Sequence, residues 1–124
     1  MSALLEISEH QAGDVTVLRL SGRLELDAGD LALRAWIDRL VDQDRNRIIL
    51  DMQAVTRMDS AGIGMLVGKF LSVRRHGGTI KLVHLTARSN RLMDITKLIT
   101  VFEVFQDEDE ALKSFAQVTT SNDG

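Results

Sequence analysis

The residues best placed to do chemistry lie in the run Met58-Asp59-Ser60-Ala61-Gly62-Ile63-Gly64. Ile63, Leu66, Val67, Phe70 and Leu71 then recur at i, i+3, i+4, i+7 and i+8, which predicts a helix beginning near Ser60. A serine there reads first as the N-cap, its hydroxyl accepting from free backbone N–H groups. The same position exposes the hydroxyl to modification. A phosphate on it would meet the positive end of the helix dipole and add about two negative charges, which its own helix tolerates. A protein docked over the helix start would not tolerate it, because Asp59 adds like-charge repulsion to the cost of stripping water from the phosphate. Gly62 and Gly64 each cost about 1 kcal/mol relative to alanine in a first turn, and are expected to let another surface approach the backbone. From these residues alone two compatible readings stand: Ser60 as a plain helix cap, and protein binding gated by a charge on Ser60.

Other reactive side chains have structural readings. Asp51 ends the apolar run Ile48-Ile49-Leu50 and is expected to cap that strand or order the loop toward Asp59. It could also suggest the phosphoacceptor of a receiver domain, but the acidic pair and late lysine such a site needs are not apparent, and fold analogy alone does not fix function. Arg74-Arg75-His76 complements a helix C-terminus. Asp107-Glu108-Asp109-Glu110 suits a helix start and lacks the spacing of a calcium loop. Lys69 and Arg74 fit a solvated helix face. His10, His76 and His84 lack metal-ligand spacing, and no serine, histidine and acid motif stands together. Neither a metal, a cofactor nor an enzymatic activity has positive support.

The elements that must carry Ser60 follow from periodicity. Leu5-Glu6-Ile7-Ser8 and Val15 to Leu20 alternate around the turn-forming Gln11-Ala12-Gly13-Asp14, which predicts an antiparallel hairpin. Leu33, Trp36, Ile37, Leu40 and Val41 predict a first helix with Asp27 or Asp30 as N-cap. Arg47 to Asp51 reads as a strand buried on both faces. The Ser60 helix closes at Arg74-Arg75-His76 before Gly77-Gly78. A strand over 79–85, a short helix over 88–95, a strand over 101–105 and a helix over 107–115 complete the pattern. Strand and helix alternate after the hairpin, so the class is α/β: a mixed sheet, parallel in its later strands, with helices packed on it.

The chain has 124 residues, which suits one domain, expected over 1–118 with 119–124 as a disordered tail. It has no cysteine, which excludes disulfides and thiolate chemistry and fits a cytoplasmic protein. With 15 Lys+Arg against 18 Asp+Glu and only 4% aromatic residues, neither direct nucleic-acid binding nor base stacking is expected. No signal peptide and no apolar run near the roughly 20 residues of a membrane span is present, so membrane insertion is not expected.

Met58 to Gly68 resembles the signature of the STAS domain in bacterial anti-sigma-factor antagonists, an Asp-Ser-Ser/Thr-Gly-Leu-Gly run whose phosphorylated serine directly follows the aspartate. Ser21-Gly22-Arg23-Leu24-Glu25 is similar to that family's Gly-Glu-Leu-Asp segment. Arg91-Leu92-Met93-Asp94-Ile95-Thr96 is similar to its Arg-Leu-Phe-Asp-Ile-Thr run. The resemblance implies a STAS-like fold and a non-enzymatic regulator. Unphosphorylated, such a protein binds an anti-sigma factor with serine kinase activity and frees a sigma factor; phosphorylation ends the binding and a serine phosphatase restores it. Ser60 would be the phosphoacceptor and Asp59 its acidic neighbour. Ala61, Gly62, Ile63, Gly64 and Lys69 would be partner-binding or neighbouring residues. Ala61 stands where the family has a second hydroxyl. Glu25 stands where it has an aspartate beside the phosphorylation site, and Asp27 is a second candidate for that role. The alternative the resemblance leaves is a stand-alone STAS subunit of a membrane transport complex, with Ser60 only a cap. A homodimer is compatible with either.

Overall fold

The computed structural model describes residues 5–27, 29–97 and 100–121, with side chains to residue 116. Along the chain the elements are β1 (Leu5–Ala12), β2 (Val15–Leu24), α1 (Asp30–Asp42), β3 (Arg47–Met58), α2 (Ser60–Arg75), β4 (Thr79–Val83), α3 (Ala87–Ile95), β5 (Glu103–Phe105) and α4 (Glu108–Ser121). The strands form one sheet in the order β1-β2-β3-β4-β5. β1 and β2 pair antiparallel and every later pair is parallel, as the sequence pattern predicts for this class. Gly13-Asp14 makes the hairpin turn, and Gly13 supplies the positive φ of 64° that such a two-residue turn requires.

Alternation along the strands divides the core into two layers. Leu18, Leu20, Ile48, Leu50, Met52, Ile80 and Leu82 face α1, α2 and α3, which contribute Leu33, Ile37, Leu40, Met65, Leu66, Val73 and Met93. Val15, Val17, Ile49 and Val83 face the other way, against Ala111 and Phe115 of α4. Strands covered on both faces lose the polar half of their alternation, which is why β3 and β4 read as near-continuous apolar runs. Lys81 interrupts one such run. Its side chain is 2% exposed, and Nζ donates to Ser114 Oγ at 2.6 Å, pairs with Glu103 at 3.1 Å and lies 4.2 Å from the Phe115 ring centre.

Several boundaries differ from the sequence expectation. β3 continues seven residues past Asp51 to Met58, so Asp51 sits mid-strand and caps nothing. The extension pairs with β2 alone, through Ser21 with Ala54 to Leu24 with Met58, and exposes Gln53, Ala54, Thr56 and Arg57 while burying Met52 and Val55. α1 is capped by Gly29 with no side-chain bond, not by Asp27 or Asp30. Asp30 is the first helical residue, and its buried carboxylate accepts from the N–H groups of Asp27 and Leu31 at 3.0 and 2.9 Å. β5 is shorter than expected because Phe102 leaves the strand path to pack edge-on against Phe70, ring centres 5.0 Å apart. α4 covers the first three residues of the expected tail, and 122–124 lie outside the described residues.

Candidate functional site

The candidate site is built where β3 ends and α2 begins, beside the loop that joins β2 to α1. Asp59 has extended backbone (φ −122°, ψ −177°) and is the N-cap of α2, with its side chain accepting from the Gly62 N–H at 2.9 Å. Its carbonyl accepts the Ile63 N–H at 3.0 Å. The other carboxylate oxygen accepts the Leu26 N–H at 3.2 Å, across 33 residues of chain. The Gly62 N–H bond is the largest effect on the Asp59 carboxyl; opposed by desolvation and joined by weaker bonds from Leu26 and the helix start, it holds that carboxyl below the usual aspartate range.

Ser60 is therefore the first residue within α2 and not its cap, which corrects the sequence reading. Two adjacent cap-competent residues compete for one role, and Asp59 wins because its carboxylate reaches both Gly62 and Leu26. The consequence is chemical: Ser60 is exposed, and its hydroxyl makes no hydrogen bond among the described residues. It stands at the positive end of a 16-residue helix, where an added phosphate is electrostatically favoured.

The two glycines do different work. Gly62 is buried, and a Cβ there would lie 2.2 Å from the Leu24 carbonyl oxygen. It serves the approach of α2 to the end of β2, so the expectation that it forms a docking surface is corrected. Gly64 is exposed, and a Cβ there would meet nothing within 4 Å. Ile63 is 2% exposed and belongs to the core, so it too is removed from any contact surface, while Ala61 is half-buried. Lys69 lies roughly 13 Å farther along the helix axis. Its Nζ donates to Asp38 Oδ1 at 2.6 Å, which ties α2 to α1 away from the Asp59 end of the helix.

Glu25 sits between two guanidinium groups, accepting from Arg23 Nε at 2.9 Å and Arg57 Nε at 3.3 Å. Asp27 is exposed at the loop tip with φ 57°. Sequence reasoning missed what this loop and the first turn of α1 present: Leu26 and Leu31 are 64% and 60% exposed. Leu31 breaks the spacing of the buried Leu33, Ile37 and Leu40, and that mismatch was the available signal. Among the described residues no group of three or more His, Asp or Glu side chains could hold a metal ion. None of their helices is long and apolar enough to cross a membrane.

A family model for the STAS domain matches residues 6–111, a span that contains all of the sheet but Leu5, α1 to α3 and the whole Asp59 region. The chain belongs to the STAS domain family. This STAS chain is 24% identical over 119 residues to the anti-sigma F factor antagonist of Paenibacillus polymyxa, an alignment covering 96% of this chain and all of the relative. Its fold superposes on a crystal structure of an anti-sigma factor antagonist from Mycobacterium paratuberculosis with TM-score 0.79 and 21% identity, over 89% of this chain and 92% of that one. It also superposes on the phosphorylated form of the Bacillus cell-fate determinant SpoIIAA with TM-score 0.68 and 21% identity, over 89% and 99% of the two chains. At these identities the structural likeness establishes the STAS fold, an antiparallel hairpin leading into a parallel sheet with four helices.

Proposed function

We propose that this chain is an anti-sigma-factor antagonist, a binding protein whose affinity for its partner is set by the phosphorylation state of Ser60. The observation that carries the reading is the exposed, unbonded Ser60 hydroxyl at the start of α2, beside a carboxylate already committed to capping the helix. With Ser60 unmodified, an anti-sigma factor with serine kinase activity docks over the exposed start of α2 at Gly64 and over the neighbouring loop. Support comes from the name borne by the full-length relative in Paenibacillus polymyxa and from the existence of a phosphorylated form of the structurally similar Bacillus protein.

In the switching step Ser60 Oγ attacks the γ-phosphorus of a nucleoside triphosphate held by the kinase. The Oγ–P bond forms, the bond from γ-phosphorus to the bridging oxygen breaks, the diphosphate leaves and the hydroxyl proton passes to the kinase. The phosphoserine brings about two negative charges next to Asp59, and a docked surface must then desolvate both. A serine phosphatase reverses the state by hydrolysis. In this reading the chain is substrate and ligand, not catalyst.

Affinity capture from the native lysate with Ser60→Ala and Ser60→Asp as parallel baits tests this. The alanine bait should retain a protein with serine kinase activity that the aspartate bait loses. Recovery of the same transport proteins on both baits would overturn the reading in favour of a transporter subunit.

A further inference from the structure

We propose that Asp59 is a positioning residue that couples the state of Ser60 to the shape of the β2–α1 loop, so that a phosphate on Ser60 also withdraws the apolar contacts which that loop presents. The proposal rests on the phospho-switch reading of Ser60 and adds to it a second, indirect route.

The geometry is a two-ended clamp. One oxygen of Asp59 caps α2 through Gly62, and the other holds Leu26 N–H at 3.2 Å. The loop it grips is not relaxed backbone. Asp27 has φ 57° and Gly29 φ 102°, and a positive φ at a residue with a Cβ persists only when surrounding contacts hold it. Among the described residues the bonds that hold it include the bridge between Glu25 and Gly29, the pairing of Glu25 with Arg23 and Arg57, the Asp27 N–H to Asp30 Oδ1 bond at 3.0 Å, and the Asp59 bond. Held in this way, the loop carries Leu26 outward, with Leu31 just beyond it. A large apolar side chain exposed on a loop bonded to the residue before an exposed hydroxyl has the character of an interface core, where a partner's binding energy concentrates.

A phosphate on Ser60 attacks the clamp at its other end. It is a stronger acceptor than a carboxylate for the free N–H groups of the first turn, and it repels the neighbouring carboxylate. When Asp59 is displaced, Leu26 N–H loses its charged acceptor and the loop loses its tie to the start of α2. Leu26 is then no longer fixed to the residue that caps α2.

Asp59→Asn tests the coupling because asparagine is an equally good N-cap yet offers an NH2 group, not an oxygen, to Leu26 N–H. Amide hydrogen exchange by NMR should be about tenfold faster at Leu26 in this variant, the loss of one hydrogen bond to a charged acceptor, with Gly62 unchanged. The otherwise unaltered protein carrying phosphoserine at position 60 should show the same acceleration at Leu26. Unchanged exchange at Leu26 in either protein would overturn the proposal, even if phosphorylation still abolishes partner binding. Acceleration in both, with no partner that distinguishes the two states of Ser60, would support the coupling and refute the anti-sigma reading on which it was placed.

Discussion

Two aspartates eight residues apart on one stretch of chain, Asp51 and Asp59, have opposite surroundings. Asp51 is buried on the α4 face of the sheet, where its carboxylate accepts from His84 Nδ1 and Gln53 N–H at 3.1 Å each and faces Arg19 Nε at 3.6 Å. Arg19 continues to Glu108 of α4 at 3.5 Å, and Glu108 meets His10 at 3.1 Å. Strand side chains and the start of α4 are thus tied into one chain of charges, with no buried side-chain polar atom left unpaired among the described residues. Asp59 bonds only to backbone N–H groups, and the hydroxyl next to it is unused. A closed network holds elements together; an arrangement that satisfies its own helix and leaves a nucleophilic hydroxyl open can be written on by another protein.

The sharpest way to break this comparison is within the Ser60 site itself. Gly62→Ala should destabilise the fold by about 3 kcal/mol, because the new methyl group meets the Leu24 carbonyl and backbone must move. Gly64→Ala, two residues on, should stabilise it by up to about 1 kcal/mol through helix propensity alone. Urea unfolding of the two variants decides. Equal effects would mean that the close approach of α2 to β2 is not what requires glycine at position 62.

A smaller effect separates the two aspartates. Asp51→Ala should cost about 2 kcal/mol by leaving buried donors unpaired, and should leave partner binding intact. Asp59→Ala should cost only about 1 kcal/mol as a lost cap while weakening the partner. The Asp59 contribution also has a defined pH sign. Its folded carboxyl titrates below the ordinary aspartate range, so its stabilisation is complete above the unfolded value and disappears as pH falls through the lowered folded value. Urea midpoints of the native protein and Asp59→Ala, measured across acid pH, should converge only on the acid side. A gap that widens toward low pH would contradict the assignment.

The alternation of strands and helices was legible because apolar spacing is a local property. The core stripe of α2 was read correctly at Ile63 and Leu66, whereas Leu71 falls outside it and is 48% exposed. The end of β3 was not legible, since past Asp51 the strand is covered differently and pairs with β2 alone. The start of α2 was read from its apolar spacing, but with the cap one position off. Residue type cannot choose between Asp59 and Ser60; the choice is made by Leu26, a partner 33 residues away. The same holds for Gly62, whose reason lies in the Leu24 carbonyl, and for Lys81, whose burial depends on α4.

The most direct measurement of the central claim is intact-mass and fragment analysis of the chain after incubation with the captured kinase and ATP. The account predicts one added phosphoryl group, located on Ser60, with none acquired by Ser60→Ala and release of the modified chain from the kinase. Modification at another residue, or modification of Ser60 that leaves the complex intact, would contradict it.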